Sequence, residues 1–184
     1  MEWTKILILS VLISFCSCKN YYVSEGGGYR PKKSNFKFAK LSYQLKKDDL
    51  IDINSVYINV SEMNYGGKNH IDNHFMRFFT DGRYFEDLES SDKTLNLTPF
   101  NSVNNSLMIG YYKIEKTNFL TLEYFRVKHE EGGFYDTREG YVRNDSIFLY
   151  YDSYKNNEFP IPNKENCRIY VRKETKGLTG NPDW

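Results

Sequence analysis

A chain of 184 residues is one domain's worth, long enough for a single core and too short for two. Its 25 basic and 24 acidic side chains nearly cancel, to a net +1, and it has three cysteines, too few for a disulfide framework once one of them is committed elsewhere. Aromatic content is high, with 16 Tyr and 13 Phe against 2 Trp. Tyr and Phe fit the pleated, half-buried surface of a strand, so composition points to an all-β domain.

The first element is not part of that domain. Behind a short charged start containing Lys5, the apolar run Ile6 to Cys18 ends at Lys19-Asn20. A membrane span needs about 20 apolar residues, and this run stops within roughly a dozen. An ordinary signal peptidase wants a small-x-small site, which Phe15 fits poorly. Phe15-Cys16-Ser17-Cys18 instead resembles the export signal of a bacterial lipoprotein, cut before the cysteine that carries the lipid. That resemblance implies a signal peptide over residues 1–17, acylation of Cys18 and an anchor in the bilayer of a bacterial cell envelope. Cys167 is then the one remaining thiol, at the head of the strand-like run Cys167-Arg168-Ile169-Tyr170-Val171-Arg172, where buried filler is its expected role.

Residues 18–35 read as a flexible basic tether. Gly26-Gly27-Gly28 and Pro31 leave no periodic apolar face, and a coil of that length spans about 20–25 Å. Eight basic side chains against Glu25 give residues 19–47 a net charge of +7 and leave −6 for residues 48–184. Basic groups held beside an anionic bilayer gain about 1 kcal/mol each. An exported chain with an acidic body is not expected to bind nucleic acid. The Gly triplet is no phosphate loop, since it lacks a preceding strand and a following Gly-Lys-Ser/Thr.

From residue 36 to 175 the period is two. Phe36 to Leu41 is a short strand or an extended lead-in, and Ser55 to Val60 is a strand with Val56, Ile58 and Val60 on one face. Phe75 to Thr80, the pair Asp81-Gly82 and Arg83 to Glu86 read as a hairpin with a type I′ turn. Residues 87–105, with Pro99, are expected as a long connection or a short irregular helix. Four further strands are predicted at Leu107–Glu115, Phe119–Lys128, Phe134–Arg143 and Ser146–Tyr151. A last strand, Cys167–Lys173, follows a loop set by Pro160 and Pro162; residues 176–184 are left as a C-terminal tail. Tight turns and no long amphipathic helix predict an antiparallel up-and-down meander, and such a sheet removes its edges by closing.

Arg77-Phe78-Phe79-Thr80-Asp81-Gly82-Arg83, Gly110-Tyr111-Tyr112, Leu122-Glu123-Tyr124-Phe125 and Gly140 to Ile147 resemble the strands of lipocalin-like lipoproteins from Bacteroidetes-type bacteria, over about residues 53–173. The resemblance implies a lipocalin-like barrel of about eight strands able to enclose one small apolar ligand. The Gly-x-Trp of true lipocalins is missing, Trp3 and Trp184 being the only tryptophans. An acidic surface-export tag after Cys18 is missing too. A periplasm-facing anchor is therefore favoured over surface display.

The chemistry-bearing candidates are few. His70, Asp72 and His74 would share one face of an extended segment, but they follow a Gly-Gly loop, so no metal site is assigned. There is no Gly-x-Ser-x-Gly elbow, and no His lies near Cys167 in sequence; no catalytic residue and no cofactor is assigned, and the chain reads as a non-enzyme. Glu123, mid-strand among apolar residues, either faces water or needs a buried partner such as Arg126, Arg77 or Arg138; the water-facing option is expected. Phe78, Phe79, Tyr112, Phe125 and Phe148 would suit the wall of a ligand cavity. Small barrels are often filled by their own side chains, and core filling is the favoured reading of the same residues. Two functions follow from these features. One is an envelope-anchored module that binds a small hydrophobic ligand. The other is an assembly lipoprotein that meets other envelope proteins through its outer surface.

Overall fold

The structure is a computed structural model that describes residues 19–65, 68–71, 73–88, 97–115, 118–129, 132–152 and 159–184, with only the backbone of 63–65 and 68–70. The signal run and Cys18 lie outside the described residues. Among the described residues there are twelve strands: β1 (Tyr21–Val23), β2 (Tyr29–Pro31), β3 (Ser55–Asn59), β4 (Glu62–Tyr65), β5 (Lys68–Ile71), β6 (His74–Phe78), β7 (Arg83–Leu88), β8 (Met108–Ile114), β9 (Phe119–Lys128), β10 (Gly132–Arg143), β11 (Ser146–Tyr150) and β12 (Cys167–Glu174). One short α-helix, Thr98–Asn101, and two 3-10 turns, Phe38–Leu41 and Val103–Asn105, complete the described elements.

Eight strands close into an antiparallel barrel in the order β10-β11-β12-β3-β6-β7-β8-β9. The domain is all-β and lipocalin-like, an up-and-down meander closed by the pairing of β12 with β3, in which Tyr170 faces Asn59. Closure leaves the barrel no edge strand. Among the described residues no helix is long and apolar enough to cross a membrane.

Because the strands alternate, each apolar pair sends one side chain inward and one outward, and both faces are covered. Inward lie Tyr57, Met76, Phe78, Tyr84, Tyr112, Leu120, Leu122, Val142, Ile147, Leu149 and Tyr170, which pack as one buried cluster. Outward lie Val56, Phe75, Phe85, Ile109 and Phe125, buried with Phe36, Phe100 and Val103 from the flanking segments. This second layer explains why so short a chain holds so many aromatic residues: the sheet is sandwiched between its lumen and an outer coat.

The hairpin predicted at Asp81-Gly82 forms, but with a three-residue loop. Phe79 donates its N–H to the Arg83 carbonyl and accepts from Gly82 N–H. Gly82 alone has positive φ, at 78°, while Asp81 does not. A type I′ turn would need both residues left-handed; a type I turn closed by a left-handed glycine needs one.

The expected tether is instead folded. β1 and β2 pair with Tyr22 opposite Arg30, and the Gly triplet lies against the chain at residues 105–107. A Cβ on Gly28 would sit 2.2 Å from the Ser106 carbonyl oxygen, and Gly27 has φ of 86°. The glycines that suggest flexibility are required by close backbone approach. Arg30, 4% exposed, donates from Nη2 to the Ser106 carbonyl at 2.5 Å. At the other end of the strap, the Asn20 side-chain amide donates to the Gly133 carbonyl at 2.7 Å and accepts from the Gly133 N–H at 3.2 Å.

Phe38–Leu41 form a 3-10 turn within the segment 36–41 where a strand or lead-in was expected, and Glu123 is the reason. Its two carboxylate oxygens accept from Lys37 N–H at 2.9 Å and Phe38 N–H at 2.8 Å, the first donors of the turn, which have no partner of their own. Glu123 is 2% exposed, so the water-facing expectation is corrected; its partners are backbone amides rather than an arginine. Residues 176–184 are not a free tail either. The Thr179 carbonyl accepts from Arg77, and the Pro182 and Trp184 carbonyls accept from Arg83.

Candidate functional site at the barrel mouth

The connections β6–β7, β8–β9 and β10–β11 lie at one end of the barrel, and β7–β8, β9–β10 and β11–β12 at the other. The first end is closed. The chain crossing it places Ile51 in the interior cluster, with Tyr43 and Leu45 packed against it. Tyr43 meets the Tyr112 ring edge-on at 5.4 Å, and Phe78 meets Tyr112 and Tyr57 at 5.0 and 5.5 Å. No ligand is needed to fill this half.

Toward the other end, the same strands carry charge. Glu86 on β7, two residues past Tyr84 and pointing the same way, is 2% exposed. One of its oxygens accepts from Arg138 Nη1 at 3.0 Å. The other accepts from the Tyr170 hydroxyl at 3.0 Å and lies 3.2 Å from His74 Nδ1. Burial alone would raise the Glu86 carboxyl, but Arg138, His74 and Tyr170 outweigh it and hold the pKa at about 2. Burial likewise opposes the charge on Arg138, and Glu86 with the surrounding tyrosines turns the balance, raising the guanidinium above its ordinary value. Tyr170, raised by burial and then by Glu86, stays a neutral donor. The result is a fixed anion–cation pair inside the barrel, with its charges satisfied.

A second pair lies nearer the rim. Arg126 Nη2 meets the Asp136 carboxylate at 2.6 Å, and the Tyr124 hydroxyl donates to the same oxygen at 3.3 Å. Arg138 lies over the Tyr124 ring and Arg126 over Phe134, at 4.7 and 4.9 Å from the ring centroids. These groups surround a cavity of about 320 Å³ lined by Tyr124, Arg126, Asp136, Thr137, Arg138, Glu139, Tyr150, Tyr151 and Asp152. A smaller one of about 160 Å³ adjoins it, between Arg138, Leu149, Tyr150, Tyr151 and Arg168. Both open where β10 continues past the last residue of β11, since Leu149 pairs with Gly140 and residues 132–139 run on beside β9 alone. The Tyr84 hydroxyl, wholly buried next to this charge cluster, finds no hydrogen-bond partner among the described residues.

The five aromatic residues that would have suited a ligand wall do not share one, and Phe78, Tyr112 and Phe125 are core, as the favoured reading had it. Phe78 and Tyr112 are fully buried inside the barrel. Phe125 is buried on the outer face, where Phe79 packs against the same cluster. Phe148 lines a shallow outer cavity of about 240 Å³ with Asn118, Tyr141, Val142, Arg143 and Pro162. Period-two reading assigns residues to faces but cannot say which face is inside when both are apolar. Arg126, Asp136 and Arg138, which line the cavity, were not singled out as a site; the signal available was charge at alternate positions of a single predicted strand pair.

Among the described residues no group of three or more His, Cys, Asp or Glu could hold a metal ion; the side chains of His70 and Asp72 lie outside that description. Cys167 is fully buried, and burial pushes its thiol up, which suppresses the reactive thiolate. Compared with known proteins, the chain matches no family model, no curated protein and no solved structure.

Proposed function

We propose that this chain is a lipid-anchored protein of a bacterial cell envelope whose barrel binds a small polar molecule bearing an acidic group at its charged mouth. The observation that carries this reading is the cavity of about 320 Å³ with Arg126 and Arg138 in its wall, above a lumen filled by its own side chains. That volume is at the lower end of ligand pockets, about 300–1,000 Å³. Each guanidinium offers five donors in a planar fork. Arg138 gives one nitrogen to Glu86 and Arg126 one to Asp136, so donors remain for a carboxylate or phosphate. The tyrosine rings supply flat walls, and Asp136 and Glu139 suit hydroxyl or amino groups on the same molecule. Packing of the lumen is what turns the expectation of an apolar ligand toward a polar one.

The filled lumen also favours the second function, in which the barrel meets another envelope protein through its outer surface. Native mass spectrometry of the chain extracted from membranes in mild detergent separates the two. A co-purifying acid of small mass that Arg126→Ala loses supports the mouth site. Bare wild-type protein travelling with a protein partner contradicts it and supports assembly.

A further inference from the structure

The strap formed by β1 and β2 fixes more than the N-terminal chain. Asn20 is clasped to Gly133 by two hydrogen bonds, beside the β9–β10 connection at the mouth end. Cys18 is two residues away, and two residues of extended chain reach at most about 7 Å. A flexible tether would have let the barrel stand off and turn; this strap does not.

We propose that the charged mouth faces the bilayer, with the membrane surface itself as the partner of the rim. The inference rests on the reading of Cys18 as the lipidated residue. Two further observations at this end agree with it. Tyr22, Val23, Ile71 and Leu88 are each about half exposed, and all belong to strands or strand ends at the mouth. Lys19, Lys32 and Lys33, also exposed, lie on the strap, where their charge complements anionic headgroups. Exposed apolar and basic residues occur at the closed end too, Leu41, Leu50, Lys46 and Lys47 among them, but Asn20, two residues from Cys18, is held at the mouth. With the mouth against the headgroups, a ligand reaches the cavity from the membrane surface rather than from bulk solution.

The test uses the full lipidated chain in vesicles of phosphatidylethanolamine and phosphatidylglycerol containing nitroxide-labelled lipid. A fluorophore is placed on Val23→Cys or Leu88→Cys at the mouth, and on Asp145→Cys at the β10–β11 connection. The twelve residues of β10 separate the two ends by roughly 30 Å at ordinary barrel tilt, and the buried Cys167 does not compete for label. Fluorescence at 23 and 88 should be at least halved while that at 145 stays unchanged. Quenching at 145, or at none of the three, in protein whose mass carries the acyl chains overturns the orientation and leaves the anchor standing. A mass without acyl chains overturns both.

Discussion

At the closed end of the barrel, Phe78, Tyr112, Ile114 and Leu120 meet Ile51, with Tyr43 and Leu45 against them, and nothing polar needs a partner beyond the tyrosine hydroxyls. Two residues further along the same strands, Tyr84 gives way to Glu86, Tyr124 to Arg126 and Tyr170 to Arg168, all by the inward alternation of a pleated strand. The first half is held by aromatic edges and dispersion, which only requires that volume be filled. The second is held by charges, which require that every partner be present. Truncation in the closed half therefore leaves only unfilled volume, whereas loss of one member of the buried Glu86–Arg138 pair leaves the other's charge without its partner. That asymmetry is also why the mouth, and not the lumen, is where the proposed ligand would find donors.

The two halves should fail differently. Arg138→Met leaves the buried Glu86 charge without its cation and should cost about 3–5 kcal/mol in urea unfolding at neutral pH, the usual penalty for breaking a buried pair from one side. The double variant Arg138→Met with Glu86→Leu should cost less than Arg138→Met alone. At the closed end, Phe78→Ala should also cost about 3–5 kcal/mol, but no second substitution at Tyr84 or Tyr112 should restore it. Phe79→Ala, on the outer face, should cost about 1 kcal/mol, which checks that only one of these adjacent rings is inside.

Acid should separate the halves as well. Glu86 sits at about 2 in the fold against an ordinary 4.5, so the unfolded chain takes up its proton first as pH falls. Its contribution is complete above about 4.5 and is lost as pH falls toward about 2. The stability advantage of the wild type over Glu86→Gln, followed by thermal or urea melts, should shrink across that window. Glu123→Ala removes two charge-assisted bonds to the Phe38–Leu41 turn. It should cost about 1.5–3 kcal/mol, releasing the segment around Phe36 before the barrel opens. Hydrogen exchange at Lys37 and Phe38 would show that order. The smallest stability effect belongs to Arg126→Ala, whose pair with Asp136 is partly exposed and should cost less than about 1 kcal/mol, although the ligand would be lost.

The strands were legible because alternation is local. Phe119–Lys128 is observed with the ends expected for it, and β3, β8, β10, β11 and β12 differ from expectation by one or two residues. What was not legible depends on partners far along the chain. Gly26 to Gly28 look like a linker until Ser106 is set against them, and Asn20 is an ordinary polar residue until Gly133 is 113 positions away and in contact. Glu123 looked solvated because its partners are backbone amides, which carry no signature in the side-chain pattern. The site suffered from the same limit. Phe79 and Phe125 satisfy the same alternation as Phe78 and Tyr112, and only closure of the sheet decides which pair is enclosed.

Where a ligand touches the barrel separates the charged mouth from the filled lumen most directly. An NMR spectrum of the folded chain labelled at arginine Nε and isoleucine methyl groups, taken before and after adding the small-molecule fraction extracted from the envelope, reads both halves at once. Shifts at Arg126 and Arg138, with the methyls of Ile51, Ile114 and Ile147 unmoved, are the predicted result. Shifts confined to those isoleucines, or none at the arginines, would contradict it.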